Sequence, residues 1–328
     1  MSANQARWGP RLSRNWPVIE RWIRMLSIAT IATIGVAYLA IHIAVSPAIG
    51  TDGRVYAAAA QAWLTGGDPW SVEVQGISLA APPPSLILAA PLALLPDGLA
   101  GPASILIAAM AAVAAIRLTG AGWWWLLSIP VVEGVFVGSL DLLAVVLAVL
   151  ALSAGRPRRR PFAAGLAVLA KIYAIVPSIA LGKRDAVLGG FAAIALTAPF
   201  LPWQRYVEIL PELETLLASQ AGNGIGSPWA TPWLVPPTML ALVLLGRRDG
   251  AWLLVPALWP SSQAHYSVFM LPVGSPVLAL VFLAPVPASA AVAVIALAVV
   301  RGFQRRLDPL SWLPERVRQR YHALENRP

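Results

Sequence analysis

Four ionisable side chains interrupt long apolar runs: Glu133 in "VVEGVFVG", Asp141 in "GSLDLLAVV", Lys171 in "LAVLAKIYAIVP" and His265 in "WPSSQAHYSVFMLP". A charge in the middle of a bilayer costs roughly 2.5–3.5 kcal/mol on insertion scales, so each needs a partner or a task. An internal Asp–Lys or Glu–Lys pair would neutralise itself, and Glu133 is read that way. Lys171 suits another task, since a cation in a low-dielectric cavity holds an anionic group such as a lipid-linked phosphate. Ser261, Ser262, Gln263 and Tyr266 surround His265. The two serines read as a polar turn, whereas His265 can donate a hydrogen bond to phosphate or sugar.

A fifth group, Asp52, opens "GTDGRVYAAAAQAWLTGGDPWS", residues 50–71, directly after the first apolar run. Val55, Tyr56, Ala59, Trp63 and Leu64 recur at helical spacing, which predicts a short interfacial helix with aromatic anchors. Asp52 precedes that helix, at the mouth of whatever cavity the helices enclose. A carboxylate so placed is positioned like a reactive group. Asp68, in "GGDPW", reads as a turn-former, because Asp-Pro beside glycines makes a tight turn.

The rest of the composition narrows the chemistry. The chain has 328 residues, is 58% hydrophobic and 12% charged, and has a mean hydropathy of +0.70. That balance points to a polytopic membrane protein. Its basic residues precede the first apolar run (Arg7, Arg11, Arg14, Arg21, Arg24) or cluster in short turns and the C-terminal tail, among them "RPRRR" at 156–160, Lys183-Arg184 and Arg247-Arg248. Short basic flanks mark a cytoplasmic face, so nucleic acid is not expected as a partner. There is no cysteine, and His42, His265 and His322 are scattered, so no metal and no cofactor is expected. The glycine-rich "SQAGNGIGSPW", 219–229, matches no phosphate-binding loop.

The elements that would position these groups are apolar segments near 26–48, 78–95, 100–117, 122–137, 139–154, 161–182, 186–201, 231–246, 250–262, 265–283 and 286–301. Barrel-like alternation is absent, which predicts an all-α, polytopic transmembrane bundle of 10–11 hydrophobic segments with short or broken helices near its many prolines. The segment 26–48 reads as a retained signal anchor. The expected organisation is a basic cytoplasmic segment (1–25), a transmembrane domain (26–302) and a basic tail (303–328). The acidic loops 49–77 and 202–230 fall on one, outer face. If "RPRRR" and Lys183-Arg184 are both cytoplasmic, 161–182 enters and leaves on one side, and it is too short to cross twice. A break near Lys171 follows, and a second near Gly138-Ser139 by the same reasoning. Counting segments puts the C-terminus outside, whereas its arginines favour the inside.

Several of these stretches fall in one familiar order. Asp52 and Tyr56 in D-x-x-x-Y spacing, "LTGGDPW", "APPPSLILAAPLALLP", "GSLDLL", "AGLAVLAKIYAIVP" and "PSSQAHYSVFMLP" cover roughly residues 50–275. Together they resemble the integral-membrane glycosyltransferases of the C superfamily, in particular the bacterial polyprenyl-phosphate-mannose-dependent α-mannosyltransferases. The chain departs from that pattern at Ser139, where glutamine is usual, in "AAPPPS", which lacks a tyrosine, and at Tyr266, where a second histidine is usual.

The resemblance implies an outward-facing site in a multi-pass protein of the bacterial plasma membrane, with the N-terminus cytoplasmic. Asp52 would be the general base in transfer of a sugar, mannose in the family, from a polyprenyl-phosphate donor to a lipid or glycan acceptor. A single displacement needs no protein nucleophile and inverts the anomeric centre. Lys171 and His265 would contact phosphate, and Tyr56, Asp141, Asn223 and Tyr266 would line the sugar or acceptor pocket. Two other readings stand beside it: a transporter or flippase with Glu133, Asp141 and Lys171 along its path, and a non-catalytic subunit that kept the fold.

Overall fold

The first apolar run forms the second half of a 41-residue helix, α1 (Gln5–Val45), which leaves Val36, Ile41 and Ile43 exposed along its length. The computed structural model describes residues 5–45, 49–96, 98–153, 159–221, 228–260, 263–283 and 288–307. Asn223, Ser261, Ser262 and the tail beyond 307 lie outside them.

After Gly50 the chain turns into α2 (Thr51–Leu64), the helix expected from the 55/56/59/63/64 spacing. A two-residue antiparallel hairpin, β1 (Glu73–Val74) and β2 (Ile77–Ser78), follows, and then α3 (Ser85–Ala93). That hairpin has no counterpart in the segment reading, which began an apolar helix at 78. The three prolines 82–84 keep the chain out of a helix until Ser85. α4 (Ala100–Thr119) packs against α2 where Gly53 meets Ser104: a Cβ on Gly53 would stand 1.9 Å from the Ser104 Oγ.

Both expected breaks are present. α5 (Ile129–Val137) and α6 (Asp141–Ser153) meet at 114° across Gly138, whose φ of +73° is a conformation glycine adopts without strain. α7 (Arg160–Ala170) ends at Lys171, which is extended, and one 3-10 turn (Ile172–Ile175) leads into α8 (Val176–Ala180). α9 (Arg184–Thr197) is followed by α10 (Trp203–Ala221), with a 105° bend between Arg184–Phe200 and Trp203–Leu213. α11 (Val235–Leu245) and α12 (Arg247–Leu258) lead to a ten-residue 3-10 stretch, Ala264–Val273, then α13 (Pro276–Val281) and α14 (Ser289–Leu307).

Among the described residues the fold is all-α apart from the small hairpin. Among the described residues two stretches, Arg21–Ala44 of α1 and Ala100–Thr119 of α4, are long and apolar enough to cross a membrane, or up to four if each bent pair counts as one span. This is fewer than the 10–11 hydrophobic segments, for a geometric reason. At about 1.5 Å per residue a nine- to thirteen-residue helix falls well short of a hydrocarbon core of about 30 Å. The segment expected at 265–283 is not one helix but a 3-10 stretch and a six-residue helix. The main core joins α4, α6, α7, α12, α14 and the 264–273 stretch. Alanines line much of it (Ala108, Ala112, Ala115, Ala144, Ala148, Ala167, Ala170), so helix backbones approach closely. A second core, around Tyr56, Trp70, Leu86 and Leu140, holds α2, α3 and α10 together.

Candidate functional site

The two breaks and the start of α2 converge on one place. Asp52 lies in the first turn of α2, Asp141 is the first residue of α6, and Lys171 directly follows the last residue of α7. Each sign suits its helix end, since the N-terminus of a helix favours an anion and the C-terminus a cation. The 264–273 stretch brings in His265 and Tyr266.

A cavity of about 540 Å³ is bordered by Asp52, Tyr56, Lys171, His265, Tyr266 and Trp259, among others. Residues 77–82, Tyr173, Tyr206 and Gln263 complete its wall. The Lys171 Nζ lies 5.6 Å from the centre of the Tyr56 ring and 5.4 Å from that of Tyr266. Two aromatic faces therefore flank the cation and help to hold it.

Asp141, expected on the wall of the pocket, instead lies behind it and is fully buried. One carboxylate oxygen faces Lys171 Nζ at 3.4 Å and His265 Nε2 at 3.4 Å, and accepts the Ser139 hydroxyl. The other accepts the Tyr173 hydroxyl. A buried carboxylate needs this many donors, because an unpaired one would change its protonation state instead. Asp141 therefore anchors Lys171 and His265 to the break between α5 and α6. Glu133 is not paired with a lysine, as its own sequence suggests. Its Oε1 lies 3.7 Å from His265 Nδ1, and its Oε2 accepts the Tyr38 hydroxyl at 3.5 Å. The partner comes from another part of the chain because the α5–α6 bend turns Glu133 toward the 264–273 stretch rather than toward Lys171.

Asp52 stands apart. It is half-buried at the cavity and makes no hydrogen bond or ion pair with any described residue. Burial raises the pKa of its carboxyl above the ordinary carboxylate value; the charges of His265 and Lys171 pull it back, and those of Asp141 and Glu133 push it up again. Among the described residues no group of three or more His, Cys, Asp or Glu side chains is placed to hold a metal ion.

The acidic stretches that the charge pattern put on one face touch each other. Asp68 Oδ1 accepts the Trp70 amide at 3.0 Å, closing the turn, while Oδ2 takes Arg205 Nε at 2.8 Å. The Trp63 indole donates to the Phe200 carbonyl at 3.3 Å, and the Trp70 and Tyr206 rings lie 5.4 Å apart. Asp68 is thus a turn-former that also ties the 49–77 loop to α10. Sequence reasoning passed over Tyr173 and Ser139 as partners of Asp141. Tyr173 had a legible signal, lying two residues beyond Lys171 at the break; Ser139 had only its nearness to Asp141.

No protein-family model, curated protein or solved structure matches this chain.

Proposed function

We propose that the chain is a membrane glycosyltransferase that moves a sugar from a polyprenyl-phosphate donor to a hydroxyl of a lipid or glycan acceptor. The observation that carries this reading is the division of labour among the carboxylates. Asp141 and Glu133 are occupied, whereas Asp52 faces the cavity unpaired, on a wall shared with Lys171 and His265.

In this mechanism Asp52 takes the proton of the acceptor hydroxyl as its oxygen attacks the anomeric carbon. The bond from that carbon to the phosphate oxygen breaks, and its electron pair leaves with polyprenyl phosphate. Lys171 and His265 stabilise the departing charge. One displacement inverts the centre, so a β-linked donor yields an α-linked product. The elevated pKa of Asp52 makes it a stronger base than an exposed carboxylate. A cavity of about 540 Å³ falls in the range of small-ligand sites and suits a sugar phosphate. The polyprenyl chain would run outside it, along apolar helix faces in contact with membrane lipids. Mannose is the first donor to try, on the resemblance in sequence. The reading carries with it a multi-pass plasma-membrane location, a cytoplasmic N-terminus and an outward-facing site.

The test is incubation of membranes containing the protein with labelled polyprenyl-phosphate-mannose. Transfer of label to a lipid or glycan fraction, with release of polyprenyl phosphate, is expected. A donor that stays intact where the membranes are shown to contain folded protein and acceptor would contradict the proposal. The series Lys171–Asp141–His265–Glu133 also suits a translocation path, and a flippase is the second reading.

A further inference from the structure

His265 stands between two carboxylates. Its Nε2 lies 3.4 Å from Asp141 Oδ2, and its Nδ1 lies 3.7 Å from Glu133 Oε1 with no hydrogen bond of its own. A neutral imidazole carries one N–H and one bare lone pair, so its bare nitrogen would face a carboxylate oxygen, acceptor against acceptor. The clash is avoided if the carboxylate takes the proton or if the ring keeps both. Asp141 accepts from Ser139 and Tyr173 and lies against Lys171, so its oxygens are already committed as acceptors. Glu133 receives the Tyr38 hydroxyl on its far oxygen, and its side chain retains 23% exposure. Glu133 thus serves as an acceptor on both sides.

We infer that Glu133 holds His265 as the doubly protonated imidazolium, so that the inner wall of the cavity presents two fixed cations, Lys171 and His265, to an anionic ligand. Charge balance agrees. Lys171 and His265 then offset Asp141 and Glu133, and Asp52 is the one uncompensated charge among these five groups. A neutral His265 would leave the cluster with two net negative charges, which would repel a phosphoryl group.

The titratable groups facing the ring come from several elements. They are Asp52 from α2, Glu133 from α5, Asp141 from α6, Lys171 after α7, and Tyr266 at a ring separation of 4.9 Å. Tyr38 of α1 joins through Glu133. Glu133 does not border the cavity, so it is a positioning residue. The protonation state stands on this geometry; that the ligand is the donor phosphate rests on the function proposed above.

The test is nitrogen-15 NMR of the histidine side chains in the full-length protein in detergent micelles. The His265 signal is identified as the one missing from His265→Gln. Both ring nitrogens of His265 are expected to carry protons at neutral pH. In Glu133→Gln one nitrogen is expected to lose its proton, with the midpoint of the titration falling by about one pH unit or more. A bare nitrogen at neutral pH in the unaltered protein would overturn the inference, and so would an unchanged midpoint in Glu133→Gln. The unaltered protein is decisive even if the variant fails to fold. No substrate is involved, so failure here leaves glycosyl transfer untested, and failure of the transfer assay leaves this protonation state standing.

Discussion

At the scale of single residues the site rests on two carboxylates with opposite surroundings. Asp141 is enclosed by Ser139, Tyr173, Lys171 and His265, whereas Asp52 keeps its oxygens for the cavity. Removing one partner of a buried pair leaves an uncompensated charge, so Asp141→Asn is expected to destabilise the protein by about 3–5 kcal/mol in thermal melts. Asp52→Asn acts the other way. Its folded pKa is raised, so its contribution to stability is present below the unfolded value and is lost as pH rises through the folded one. Above that range the ionised carboxyl works against folding, and Asp52→Asn is expected to raise the melting temperature. The same shift places the acid limb of the pH–rate profile above the ordinary carboxylate range, because the base acts only when ionised. Asp52 was legible in sequence, being a carboxylate at the first residues after an apolar run. The pairing of Glu133 with His265 was not, since 132 positions separate them and helix packing alone brings them together.

Helix ends, more than helices, build the site at the scale of elements. Gly138 is the corner where α5 turns into α6, at φ +73°, and a Cβ there would stand 2.2 Å from Ser104 Oγ. Gly138→Ala thus meets both backbone strain and a steric clash. A loss of about 1–3 kcal/mol is expected in thermal melts, with reduced transfer because Asp141 lies just beyond the corner. The breaks at Gly138 and Lys171 could be read from segment lengths and charge placement. The number of true spans could not, because a short helix buried in protein and a helix crossing lipid are equally apolar and differ only in length and neighbours. The 264–273 stretch shows the same limit. Its apolar run predicts a helix, but it lies in the core as a 3-10 stretch that carries His265 to the cavity.

At the scale of the whole molecule the 49–77 stretch is tied to the 198–221 region by Asp68–Arg205 and Trp63–Phe200. The ion pair is partly exposed, so solvent screens it and it contributes little to stability. Asp68→Ala is therefore expected to leave melting nearly unchanged. The chain has no cysteine, so accessibility of the cavity can be read directly. A Ser78→Cys protein in sealed vesicles is expected to react with an impermeant thiol reagent from the outer face alone. Reaction from both faces would favour the flippase reading.

The most direct measurement compares Asp52→Asn with the unaltered protein in transfer from polyprenyl-phosphate-mannose, with Asp68→Asn as the control carboxylate. A general base contributes about 10²–10⁴-fold, and Asp52→Asn is expected to lose transfer by that factor while remaining folded, with Asp68→Asn close to unaltered. Full transfer by a folded Asp52→Asn protein would contradict the assignment of Asp52 as the base.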